Sequence, residues 1–86
     1  MNSSQESHIK EFTIIVNGRE KKVTTKELSF DQVVALAFNP PPTGPNIVIT
    51  VTFRNAEDQK SGTLTKGQTV TIKDGTIFNV TATDKS

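Results

Sequence analysis

The chain has 86 residues, which allows one small domain, and it has no cysteine to supply a disulfide or a thiolate metal site. Ten basic and nine acidic side chains leave a formal charge of +1, so the balance gives no grounds for nucleic acid or an anionic membrane as partner. No run approaches the roughly 20 apolar residues of a membrane span, and the polar start "MNSSQESH" leads into no signal-peptide h-region, so a cytoplasmic protein is expected.

Residues 1–8 have no hydrophobic period and are expected as a flexible N-terminal tail. A domain over residues 9–83 and a short flexible C-terminal tail over 84–86 would follow. "EFTIIVNGREKKVTT" is two β-favouring runs around Asn17-Gly18. That dipeptide supplies the two positive φ angles of a type I′ turn, whose twist matches paired strands. Phe12, Ile14 and Val16 share one face of the first strand, while Thr13 and Ile15 share the other. The second strand has Val23 as its only large apolar side chain, which suits a sheet edge guarded by lysines. Arg19, Lys21, Lys22 and Lys26 form the one local basic excess, interrupted by Glu20 and Glu27. It reads as a solvated hairpin face, with an acidic partner as the alternative.

"SFDQVVALAF" changes period. Ser29 and Gln32 have the spacing of a capping box, and Phe30, Val33, Val34 and Ala37 recur at helical intervals. A helix of about three turns is expected, ended by "NPPPTGPN", where prolines remove donors and exclude the α region before them. "NIVITVTFR" is a strand with Ile47, Ile49, Val51 and Phe53 on one face and Val48, Thr50 and Thr52 on the other. The stretch "NAEDQKSGTLTKGQ" reads as loop-rich, anchored by Leu64. Val70 and Ile72 mark a short strand, and Asp74-Gly75 turns into a final strand with Phe78, Val80 and Ala82 pointing inward. The order strand, strand, helix, strand, short strand, strand gives an α+β domain, one helix packed on a mixed sheet of four to five strands.

Catalytic chemistry is missing from this pattern. The single His8 lies in the expected tail, and no second histidine or any cysteine is available for a metal site. No carboxylate pair is arranged as acid and base, no serine or threonine has a base and orienter beside it, and no Gly-rich phosphate loop occurs. No enzyme activity, cofactor or metal is expected.

The segments "FTIIVNG", "SFDQVVALAF", "PPPTGPNIVITVTFRN" and "GTLTKGQTVTIKDGTIFNVTATDKS" together resemble a bacterial multiubiquitin-type domain, a ubiquitin-like module found in tandem or singly. The resemblance runs from Phe12 to Ser86 and implies a β-grasp fold, in which the last strand lies between the first and third. The Asp74-Gly75 turn by itself suggests a hairpin with the short strand before it. The resemblance further implies partner enzymes similar to ubiquitin-activating and ubiquitin-conjugating proteins, and a zinc metallopeptidase of the deubiquitinase type. The chain would be a monomeric substrate and tag. Its C-terminal carboxylate would be adenylated and then passed to an enzyme nucleophile and to a target protein.

Under that implication Thr83, Asp84, Lys85 and Ser86 form the conjugation tail, aimed by a rigid final strand. Ubiquitin-like modifiers commonly finish in Gly-Gly, whereas this chain has Asp84, Lys85 and Ser86 there. Either the partner sites admit side chains, or trimming precedes activation, or this copy is a non-covalent interaction module. Ile15, Val48 and Ile77 point away from the helix, and with the last strand between the first and third they are expected as neighbours in a partner-docking patch.

Overall fold

The computed structural model describes residues 10–84, so the expected N-terminal tail, Lys85 and Ser86 lie outside the described residues. Strand β1 (Phe12–Val16) turns into β2 (Arg19–Val23) through Asn17 at φ 53° and Gly18 at φ 81°, the left-handed pair that a type I′ hairpin requires. Val16 faces Arg19 and Phe12 faces Val23 in the antiparallel register. The sequence pattern anticipates this hairpin in full.

A three-residue strand, β3 (Glu27–Ser29), leads directly into helix α1 (Phe30–Ala37). Ser29 closes the capping box: its Oγ accepts from the Gln32 amide at 3.2 Å, and its own amide donates to Gln32 Oε1 at 2.8 Å. Asp31 lies in the first turn, where the helix dipole favours a carboxylate. The helix has eight residues, about two turns rather than three. It stops early because Phe38 is already extended (φ −130°, ψ 136°), preparing the chain for Asn39 and the proline that follows.

After the proline loop come β4 (Ile47–Arg54), β5 (Ser61–Leu64), β6 (Thr69–Thr71) and β7 (Ile77–Asp84). Five strands form one mixed sheet in the order β2-β1-β7-β4-β5, while β3 and β6 pair as a separate ribbon. One helix packed on a mixed five-stranded sheet is the α+β β-grasp arrangement. The final strand is central: it runs parallel to β1 and antiparallel to β4. The Asp74-Gly75 turn therefore does not make a β6–β7 hairpin. Its groups dock on β1 instead, with Asp74 Oδ1 accepting from the Thr13 amide at 2.8 Å and the Gly75 amide donating to the Thr13 carbonyl at 2.8 Å. Strand β6 pairs with β3 in the separate ribbon and not with β7.

The core lies between α1 and one sheet face. Phe12, Ile14, Val16, Val33, Val34, Val51, Phe53, Phe78 and Val80 are buried there, with Leu28, Leu64, Val70 and Ile72 closing its ends. Strand β5 was hidden within a polar stretch; its role is visible only in space, where Leu64 is buried and Gly62 passes over the Phe53 ring. A β-carbon at Gly62 would stand 2.8 Å from Phe53 Cζ. Phe53 in turn meets Phe78 with ring centroids 6.3 Å apart, so the aromatic pair cannot retreat without disturbing the sheet centre. Gly62→Ala is expected to lower stability by roughly 1–3 kcal/mol through overpacking, read as a lower midpoint in chemical denaturation with an unchanged slope.

A clasped C-terminal strand and the open sheet face

Strand β7 is held unequally along its length. Its entrance is tied by the fully buried Thr76, whose hydroxyl donates to the Asn55 carbonyl at 2.9 Å and accepts from the Lys73 amide at 3.0 Å. Asn55 answers through Nδ2, which donates to the Gly75 carbonyl at 3.3 Å. Phe78 and Val80 then enter the core, at 0% and 3% exposure. Register with β1 is short, Ile15 opposite Ile77 and Val16 opposite Phe78, because β1 must leave at the Asn17-Gly18 turn.

Asn17 carries the pairing one step further. Its amide donates to the Phe78 carbonyl at 3.0 Å, its Nδ2 donates to the Val80 carbonyl at 3.0 Å, and its Oδ1 accepts from the Val80 amide at 2.7 Å. The carboxamide thus imitates the next peptide unit that β1 would have supplied. Donor and acceptor of Val80 are both satisfied at a part-buried site, where an unmet group costs about 1–3 kcal/mol. This residue was legible as a turn former. Nothing in the sequence marks its grip on Val80, 63 positions away.

Past Val80 the support changes. Among the described residues, 81–84 pair within the sheet only with residues 47–50 of β4, and all four are exposed. Ala82 was expected to anchor the strand; it is exposed, and its partner Ile49 is half-buried. Thr83 faces Val48 and Asp84 faces Ile47 within the ladder, so Asp84 closes β7 rather than opening a free tail. Lys85 and Ser86, the remainder of the expected conjugation tail, lie outside the described residues. The end of β7 is accordingly a two-stranded ribbon projecting from a packed sheet, and two strands alone are marginal in water.

The open face brings Ile15 and Ile77 together as direct partners, both half-buried, with Arg54 opposite Ile77 and Glu20 opposite Ile15. Val48 does not join them. In the antiparallel register it meets Thr83, six positions along β7 from Ile77, which is about 20 Å at strand rise. The expected three-residue neighbourhood is therefore two separate features: an Ile15–Ile77 pair over the packed half of the sheet, and Val48, 43% exposed, on the projecting ribbon.

Among the described residues no cluster of three or more metal-ligating side chains occurs, and no helix is long and apolar enough to cross a membrane. Searches of curated proteins and of solved structures return no significant match. The family comparison does: the multiubiquitin model matches residues 12–84, from the first residue of β1 to the last of β7, and the chain belongs to the multiubiquitin family of ubiquitin-like domains.

Proposed function

We propose that this ubiquitin-like domain is a protein modifier, joined to targets through the carboxylate that follows β7. The observation that carries the reading is the division of β7 at Val80. A strand locked at Thr76, Phe78 and Val80 fixes direction, while the exposed segment beyond can leave β4 and enter a partner's active site without unfolding the core. Immobilising one end in advance reduces the ordering cost of presenting the other.

The chemistry belongs to partner enzymes, and this chain is the substrate. A ubiquitin-activating-like enzyme binds it with ATP. The carboxylate oxygen attacks the α-phosphorus, and pyrophosphate leaves. A nucleophile of that enzyme or of a ubiquitin-conjugating-like enzyme attacks the acyl carbon and releases AMP. An amine or hydroxyl of the target then displaces the enzyme nucleophile. Hydrolysis of the finished bond, or trimming ahead of activation, suits a zinc metallopeptidase of the deubiquitinase type. Thr83, Asp84, Lys85 and Ser86 form the segment that enters these sites, which must admit side chains. The Ile15–Ile77 pair with Arg54 is the docking element next to the locked half of β7. Val48, opposite Thr83 on the ribbon, lies outside that docking element.

Incubation with the activating enzyme and ATP is expected to release pyrophosphate and to give an acyl adduct in intact mass spectra, and deletion of residues 84–86 removes both. A full chain that binds the enzyme yet forms no adduct would make it a non-covalent interaction module. Ile77→Lys is expected to slow activation far more than Val48→Lys, with each melting temperature measured alongside; equal rates for both variants and the parent would remove the docking assignment. Asn17→Gly keeps a turn-competent residue at positive φ but strips the clasp. It should lower stability by about 1–3 kcal/mol, while Asn17→Asp, which retains the acceptor and sets a carboxylate oxygen against the Val80 carbonyl, should fare no better.

A further inference from the structure

Asn17 and Gly18 are neighbours in the sequence, and no other asparagine of the chain is followed by glycine. That pairing carries chemistry of its own. The Gly18 amide nitrogen has no side chain beside it, and it is placed along the backbone where it can close a succinimide ring on the Asn17 carboxamide carbon. Both residues are exposed, and a β-carbon built on Gly18 would meet nothing within 4 Å, so base and water reach the turn. The other described asparagines are less suited. Pro40 gives Asn39 no attacking N–H, and β-branched Ile47 and Val80 crowd the nitrogen that follows Asn46 and Asn79.

The same carboxamide is the clasp on β7. Its Nδ2 donates to the Val80 carbonyl at 3.0 Å and its Oδ1 accepts from the Val80 amide at 2.7 Å, so the plane of the group is fixed across the sheet. Ring closure requires that plane to rotate until its carbon faces the Gly18 nitrogen. The rotation breaks both bonds and leaves the donor and acceptor of Val80 unmatched at a part-buried site. The contact that shields the Val80 amide from solvent is therefore the contact that shields Asn17 from its own neighbour.

We infer that Asn17 is a deamidation site gated by β7, and that the reaction turns a passing release of the strand into a lasting one. Once the clasp opens, the Gly18 nitrogen gives its proton to base and bonds to Asn17 Cγ. The bond from Cγ to Nδ2 breaks, and that nitrogen leaves as ammonia. Water then opens the succinimide at either carbonyl. The products are aspartate at position 17, or isoaspartate, in which the main chain runs through the side-chain carbonyl and gains a methylene. Overall one water is consumed and one ammonia released, with no change of oxidation state. Either product carries a carboxylate where the chain had a neutral amide. Aspartate has no N–H for the Val80 carbonyl, and isoaspartate also alters the backbone of the turn, so neither restores both bonds. Pairing on the β1 side then ends at Phe78, and the part of β7 free to leave begins nearer the start of the strand. The inference does not rest on conjugation: site and gate are the same whether or not the C-terminus is ever activated.

The test ages the full chain in mildly alkaline buffer beside the blocked peptide Ile-Val-Asn-Gly-Arg-Glu, which copies residues 15–20. Peptide mapping by mass spectrometry locates the amide-to-acid conversion, and hydrogen exchange follows the Val80 amide. Conversion at Asn17 is expected to be slower in the folded chain than in the peptide by on the order of a hundredfold or more. In denaturant above the unfolding midpoint it should reach the rate of the peptide in the same solution. Gly62→Ala, on β5 and away from the clasp, should speed conversion and Val80 exchange by the same factor. The purified deamidated chain should lose protection at Val80 by roughly tenfold or more. The inference is overturned by a folded chain that converts as fast as the peptide, or by an unfolded chain that does not convert at Asn17. A Gly62→Ala chain with faster Val80 exchange but unchanged conversion would remove the gate, and a deamidated chain with unchanged Val80 protection would remove the consequence.

Discussion

The placement of β7 between β1 and β4 governs everything else in this molecule. A central strand contributed by the last part of the chain must be buried on its helix side by Phe78 and Val80, and it must find partners on both edges. Strand β4 is long enough to supply one edge throughout. Strand β1 is not, because five residues after it begins it must turn back into β2. The Asn17 carboxamide fills the missing step, and where its reach ends the packed sheet also ends. A single side chain thereby sets the boundary between the part of β7 that belongs to the fold and the part that extends beyond it.

That boundary links stability to function. In a small domain the net folding free energy is a slight excess of burial over chain entropy. Residues 81–84 add four exposed positions and a ladder with one strand, so their release removes little apolar burial. The residues before them cannot be released without opening Phe78 into water, where a fully buried aromatic side chain forfeits several contacts at once. The resulting geometry is a fixed base with a detachable end. A modifier whose carboxylate must travel into another protein's active site has use for such a base, and so does an enzyme that must cut beyond it.

Much of this was legible in the residues. Asn17-Gly18 dictated the hairpin, Ser29 and Gln32 dictated the start of the helix, and the alternation of Ile47, Ile49, Val51 and Phe53 dictated the face of β4 that meets it. Each of these is a local signal, spread over a few positions and enforced by dihedral preference or period. What stayed hidden was non-local. Strands β3 and β5 are three and four residues long and mostly polar, and they exist because a neighbour offers an edge; Val70 marked β6, but not its pairing with β3. Asn17 was a turn residue on paper and a clasp in space. Ile15, Val48 and Ile77 shared a face as expected, yet sharing a face says nothing about distance along it, and the antiparallel register sent Val48 to the far end. Ala82 had the right phase for the core yet lies exposed on the ribbon that β7 forms with β4.

Residue-resolved amide hydrogen exchange tests the division of β7 most directly. The account predicts that the amides of Asn79 and Val80 exchange only through global unfolding, whereas those of Thr81 and Thr83 open locally, with protection lower on the order of a hundredfold. Protection that continues undiminished through Thr83 would mean the ribbon is as firmly held as the core. The end of the strand would then not be available for delivery, and the proposed role would lose its structural basis.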